Sequence, residues 1–482
     1  MKRVISDDKW SLMCPGKCPG LSDCYGEEFE KLYVTYENEK RYAKQIAARD
    51  LWIKILETIN ETGNPYILYK DHCNRKSNQK NLGTIKSSNL CVEIMQYTSA
   101  EDTAVCNLAS IALNKFVDKC CPETKQQQPE FDFKKLGQVV EVLVENLNKV
   151  IDNSHYPDEK AAKTSKKYRP IGIGVQGLAD TFLLMDFEQF DCEKSRQLNK
   201  NIFETIYFHA LKKSMELCKQ GIFPRYNSFE SSPSASGILQ FDLWEPSSSS
   251  SSSSSFITDD DWIELKENIK KYGLCNSLVT ALMPTATSAQ ILGNSESVEP
   301  YINNMFVKKT EASEFRIINP HLMNNLCTFI DFGDSSGGGG DKELIIKEIG
   351  DKIVDNKGYL NDIQEIPDVI KKKFKTIWQI SNESLLEMAA DRGRYVDQSQ
   401  STNIYKNTTL NNRDLTNLLI NGWKMGLKTG MYYLRSEIGK NNEKDKKWSD
   451  EKTILCCRNK NKDNMKNNND EEEEGCLVNC SC

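Results

Sequence analysis

The sequence predicts an α/β fold organised around a parallel sheet or barrel. Two observations carry this. Short apolar runs suited to strands buried on both faces alternate with longer segments whose apolar residues recur at helical spacing. The chain has 482 residues, of which 38% are hydrophobic and 27% charged, enough for a sizeable core. At roughly 150 residues per domain that allows about three domains or one large barrel with additions. No fixed-period repeat is visible.

Taken along the chain, NLCVE (Asn89–Glu93) is the first chemically informative stretch. If extended, it turns Asn89, Cys91 and Glu93 to one side, gathering an amide, a thiol and a carboxylate. A sulfur serves nucleophilic or hydrogen-atom chemistry, a carboxylate proton transfer and an amide orientation. Cys106, fifteen residues on in AVCNLAS, can return to the same place. The same letters also describe a buried cysteine in a polar turn. KKLGQVVEVLVENLNKVID is a helix, with apolar residues at Leu136, Val139, Val140, Leu143, Leu147, Val150 and Ile151. IGIGV (Ile171–Val175) is a buried strand, and GIGVQG (Gly172–Gly177) continues it with glycines that suit dinucleotide binding or, more simply, close packing.

TDDDWIELKENIKKYG is a helix capped by Thr258 and stopped by Gly273. SLVTALM (Ser277–Met283) is a second buried strand, leading into MPTATSAQ. There Pro284, Thr285, Ala286, Thr287 and Ser288 open a helix with three hydroxyls in four residues, which suits an anion or an ordinary cap equally. GMYYLRS puts Tyr432 beside Tyr433, a packing pair or two phenols able to pass on an oxidising equivalent. Cys476, Cys480 and Cys482 end the chain behind a charged spacer, where packing does not account for them. Thiol exchange suits them better than zinc, because paired CxxC spacing is missing.

Composition narrows the class. The net charge of −6 argues against a protein built to neutralise nucleic-acid phosphates. No apolar run reaches the ~18 residues of a membrane span, and the first residues have no apolar signal core. A cytoplasmic, reducing setting is therefore expected, in which most of the 17 cysteines are free thiols. The four histidines show no metal-binding spacing. Low-complexity runs at 247–255 and 334–341 read as loop insertions, and 439–482 as a disordered tail.

The stretches WSLMCPGKCPGLSDCYGEEFEKLY, ETGNPYILYKDHCNRKSNQKNLGTIKSSNLCVEIMQYTS, VCNLASIALNKFV, RPIGIGVQGLADTFLLM, ILGNSESVEPY after MPTATSAQ, DQSQSTNI and WKMGLKTGMYYLRS together resemble the large subunits of class I ribonucleotide reductases. The resemblance runs from about Lys9 to Arg435. It implies that 1–438 is the C-terminal part of a ten-stranded α/β barrel of that type. Cys91 resembles the thiyl-radical cysteine, Glu93 the carboxylate taking the 3′-hydroxyl proton and Asn89 the amide holding the substrate. Cys106 resembles one half of the reducing thiol pair, and residues 284–288 the diphosphate loop. Tyr432 and Tyr433 resemble the radical relay. Cys476, Cys480 and Cys482 resemble the shuttle recharged by thioredoxin or glutaredoxin. The implied reaction reduces ribonucleoside diphosphates for DNA precursor synthesis.

In the family, a regulatory ATP-binding domain and the first half of the barrel precede WSLMC. Their absence here implies that the partner of Cys106 and the effector nucleotide sites are missing. The expectation is a chain that binds no cofactor itself, receives its radical from a metal-containing small subunit and works with an N-terminal half or a full-length large subunit. The alternative is a non-catalytic truncated homologue that binds reductase subunits. No nucleic acid or membrane partner is expected.

Overall fold

A computed structural model describes residues 1–118, 128–245, 256–309, 314–333, 342–407, 410–437 and 453–454. The serine run, the glycine run and the tail cysteines Cys476, Cys480 and Cys482 lie outside the described residues.

The central sheet follows from the predicted apolar runs. Strand Asn107–Ala112 pairs in parallel with Ile171–Gln176, in a register that sets Asn107 against Ile171 and Ala112 against Gln176. Every residue from Ile171 to Gln176 is buried, as expected for a strand covered on both faces. SLVTALM departs from the expected continuous ladder. It runs extended and buried, but meets its neighbours through single parallel bridges, Ile173 to Thr280 and Leu282 to Gln400. The bonds Ile171 N–H to Leu278 O, Ile173 N–H to Val279 O and Leu282 N–H to Ser399 O still hold it in line. The run 107–112, 171–176, 278–282, 399–401 is thus an open arc of parallel segments, consistent with part of an α/β barrel.

Helices cover the outside of this arc. Phe133–Asn153 starts where Asp132 accepts from Lys135 N–H at 2.8 Å. It buries Leu136, Val140, Val144, Leu147 and Ile151 against Glu193–Lys219, while Val150, expected on that face, is exposed. Asp259–Tyr272 has the predicted Thr258 cap and ends at Gly273 with φ 82°. A second apolar cluster joins Ala48–Thr62 to Asn412–Lys424 and to Met431 and Leu434. The start of strand 171–176 is anchored through Arg169. Its guanidinium forms two bonds to Asp152, at 2.7 and 3.0 Å, and its carbonyl accepts from Asn276 at 2.7 Å.

The glycines of GIGVQG serve packing. A Cβ on Gly174 would lie 2.7 Å from both Ala281 O and Met283 Sδ, and one on Gly172 would lie 3.0 Å from Ala281 Cβ and 3.2 Å from Cys106 Sγ. The strands approach so closely that no side chain fits. Gly174→Ala is therefore expected to destabilise the chain by about 1–3 kcal/mol, because the obstructing carbonyl cannot swing aside. Gly16→Ala, with 4.0 Å to its nearest neighbour, should stay within about 0.5 kcal/mol. Urea unfolding curves at equal slope read the difference.

Candidate active site

NLCVE is a turn, not the extended segment in which its side chains would alternate. Val92 N–H reaches back to Asn89 O at 3.2 Å, and Val92 itself has φ 60°. A β-branched residue in the left-handed region is strained, and such strain persists only where surroundings over-determine it. Here three consecutive carbonyls are gripped from outside. Ser401 Oγ donates to Cys91 O at 2.6 Å, Thr429 Oγ1 to Val92 O at 3.2 Å, and Ser399 N–H to Glu93 O at 2.9 Å. Ser399 and Thr429 also share a hydroxyl contact of 2.8 Å.

The grip is itself held by a buried charge. Lys428, 5% exposed, donates to the carbonyls of Asp397 and Gln398 at 2.6 and 2.7 Å. The Asp397 carboxylate accepts from Val279 N–H and Thr280 N–H at 2.8 and 2.9 Å. Burial draws Lys428 down to about 8 and pushes Asp397 up to about 6.

The predicted side chains still converge, by a different route. Asn89 Nδ2 donates to Glu93 Oε1 at 2.9 Å, and Ile94 N–H bonds Asn89 Oδ1 at 3.1 Å. Glu93 is 2% exposed; burial raises its carboxyl, against the hydrogen bonds from Asn89 and Ser401. Cys106 accepts from Gln398 Nε2 at 3.3 Å, and desolvation pushes its thiol up to about 12. Gln398 and Ser401 belong to DQSQSTNI, so one short segment touches both cysteines.

Tyr432 and Tyr433 fall in a break between Thr429–Met431 and Leu434–Ser436. In an unbroken strand neighbouring side chains would point oppositely. The break lets the rings approach to 4.3 Å between centroids. Tyr432 OH reaches Cys91 Sγ at 3.4 Å. A third phenol joins them. Tyr66 lies 5.0 Å from the Tyr432 ring and 5.2 Å from the Tyr433 ring, and its OH donates to Tyr433 OH at 2.9 Å. Burial and the bond to Tyr433 push Tyr66 up to about 12, while burial and then Cys91 raise Tyr432. Tyr66 gives no signal of its own in NPYILY. Only the pairing of Ile67–Leu68 with Thr429–Met431 brings it in. Phenols kept neutral, in contact and ending on a thiol can exchange hydrogen atoms stepwise.

Residues 284–288 follow the buried segment that lies against Ser399–Ser401. Thr285 caps helix Ala286–Leu292, but its hydroxyl turns inward to accept from Ser297 N–H at 2.8 Å. Ser288 Oγ donates to Thr285 O at 3.3 Å, and Thr287 is exposed. The first N–H groups of this helix have no partner within it. Among the described residues no three His, Cys, Asp or Glu gather as metal ligands, and no helix is long and apolar enough to cross a membrane.

Comparison with known proteins gives the family. Residues 1–433 match the family model "Ribonucleotide reductase, barrel domain". A ribonucleoside-diphosphate reductase large subunit of Danio rerio is 48% identical over 441 residues, covering 92% of this chain and 51% of that protein. One of Plasmodium falciparum (isolate Dd2) is 47% identical over 438 residues, covering 91% and 50%. The solved structure of the Actinobacillus ureae class Id ribonucleotide reductase alpha subunit superposes with a TM-score of 0.58 at 28% identity, over 81% of this chain and 61% of that one. The chain spans about half the length of the curated relatives it matches. With the family model spanning residues 1–433, the chain belongs to the ribonucleotide reductase barrel-domain family.

Proposed function

We propose that this chain carries the thiyl-radical half of a site that reduces ribonucleoside diphosphates to deoxyribonucleoside diphosphates. The observation that carries the reading is the contact chain Tyr433–Tyr432–Cys91 beside the buried Glu93–Asn89 pair. Tyr432 takes the hydrogen atom of the Cys91 thiol, and the resulting sulfur radical takes the substrate's 3′ hydrogen. Glu93 accepts the 3′-hydroxyl proton, and Asn89 orients that carboxylate. The 2′ hydroxyl leaves as water after protonation by a thiol. Cys106 and a second thiol supply two electrons and end as a disulfide, and Cys91 returns its hydrogen to carbon 3′. Residues 284–288 hold the diphosphate through backbone N–H groups and Thr287. Cys476, Cys480 and Cys482 re-reduce the disulfide and are recharged by thioredoxin or glutaredoxin in a reducing, cytoplasmic setting. A metal-containing small subunit supplies the oxidising equivalent.

The half-length span motivates a second reading, a chain that binds reductase subunits without turnover. One reconstitution separates the two. The chain is mixed with a polypeptide supplying the remainder of a relative's length, a small subunit, a dithiol reductant and a ribonucleoside diphosphate. Deoxynucleotide formation that Cys91→Ser lowers by at least ~10³-fold supports catalysis. Complex formation with no product supports the second reading. Tyr432→Phe, which cannot lose a phenolic proton, should abolish turnover while leaving subunit binding intact.

Glu93 gives a prediction on the chain alone. Its folded carboxyl titrates above the ordinary range, so the fold favours the neutral form. Its contribution is most favourable at low pH and is lost as pH rises from the ordinary glutamate value through the raised one. Glu93→Gln should therefore melt higher than the parent at pH 8 and no higher at pH 4.

A further inference from the structure

Tyr432 and Tyr433 stand opposite a single residue of the neighbouring segment. Strand Ile404–Lys406 pairs in parallel with Leu434–Ser436. Just before that pairing, Tyr432 N–H bonds Thr402 O at 2.7 Å and Ile404 N–H bonds Tyr433 O at 3.0 Å. Regular parallel pairing would give both bonds to one tyrosine. Here two tyrosines oppose Asn403, which is the count of a β-bulge. A bulge re-aims side chains and leaves its extra residue outside the ladder. The extra N–H belongs to Tyr433, and Asn403 Oδ1 accepts it at 3.3 Å. Asn403 Nδ2 in turn donates to Glu299 Oε1 at 3.3 Å, and the Tyr405 hydroxyl donates to the other Glu299 oxygen. We propose that Asn403 and Glu299 are positioning residues that hold the two phenols in contact, an inference that rests on the relay read above.

The two residues divide the task. A carboxylate only accepts hydrogen bonds, so Glu299 draws the amide NH2 of Asn403 to itself and leaves the amide oxygen for Tyr433. Turned over, the amide would set one N–H against another, and a buried donor without an acceptor is costly. Glu299 reaches this place preset. Its segment is pinned where Ser295 N–H bonds Asp180 at 2.7 Å and Ser297 N–H bonds Thr285 Oγ1 at 2.8 Å. The hydroxyl partner is pinned as well, because Asn382 accepts from Tyr405 N–H at 3.0 Å and donates to Tyr405 O at 2.7 Å. Asn403 and Tyr405 are buried, which leaves solvent little room to substitute for either. The backbone of the tyrosine pair is thus held twice, at Tyr432 by Thr402 and at Tyr433 by Asn403. Asn403 acts on the Tyr433 backbone, so it positions the relay and carries no hydrogen atom itself.

The test replaces Tyr433 by 3-fluorotyrosine in the full chain and reads its fluorine resonance by NMR, with melting curves as the check on folding. The parent should give one narrow line. Asn403→Leu and Glu299→Leu should each give a broadened or second line, because the ring is no longer held. Glu299→Gln, which keeps an acceptor oxygen for Asn403, should restore the parent line. If a leucine variant does not fold, the smaller Asn403→Ala takes its place and is read the same way. In the reconstituted mixture, Glu299→Leu should lower kcat by about 10²-fold with KM unchanged, since a displaced relay slows transfer and not binding. The proposal is overturned if the variants lacking the acceptor or the amide keep the parent line, or if Glu299→Gln is as broad as Glu299→Leu. A parent mixture that makes no product sinks the relay reading, and the fluorine lines then judge the contact by themselves.

Discussion

Three hydrogen bonds to three successive carbonyls hold the turn on which the candidate site depends. Ser401, Thr429 and Ser399 hold the carbonyls of Cys91, Val92 and Glu93, and Ser401 also reaches the Glu93 carboxylate. The donors come from two elements far apart in sequence, and the buried Lys428 ties those elements together through the Asp397 and Gln398 carbonyls. A buried ammonium bonded only to neutral carbonyls is costly unless every donor is satisfied. That cost makes the arrangement specific: the two elements either sit in this relation or strand a charge.

Much of this was legible in the sequence, and the exceptions are instructive. The apolar periodicity of 133–153 and the cap signals of 258–273 act locally, so both helices appear where the residues indicate. IGIGV is a strand because nothing polar interrupts it. SLVTALM has the same pattern, but the loop 397–401 bonds it at scattered points, which only tertiary structure sets. Val150 fits the helical stripe yet is exposed, because its neighbour Ile151 takes the covered position in the last turn.

The site residues divide along the same line. Asn89, Cys91 and Glu93 were gathered correctly by type, although alternation along a strand was the wrong reason. The positive φ of Val92 brings them together, and no local rule predicts a left-handed valine. Tyr432 and Tyr433 are adjacent by necessity, but their contact with Cys91 depends on a break in the strand. Tyr66 was invisible because its role arises from cross-strand pairing over more than 350 residues. Glycines 172 and 174 look like a nucleotide motif in one dimension. In three they are close approaches, Gly172 to Ala281 and Cys106, and Gly174 to Ala281 and Met283.

The strained Val92 also carries a consequence for assembly. A relaxed chain rarely visits the left-handed region at a β-branched residue, at a cost of roughly 1–2 kcal/mol. The bonds from 399–401 and Thr429 offset that cost and hold the turn. A nascent or partly unfolded chain has the thiol, the carboxylate and the amide but not their arrangement. The geometry of the candidate site is therefore a property of the assembled fold and not of the local sequence.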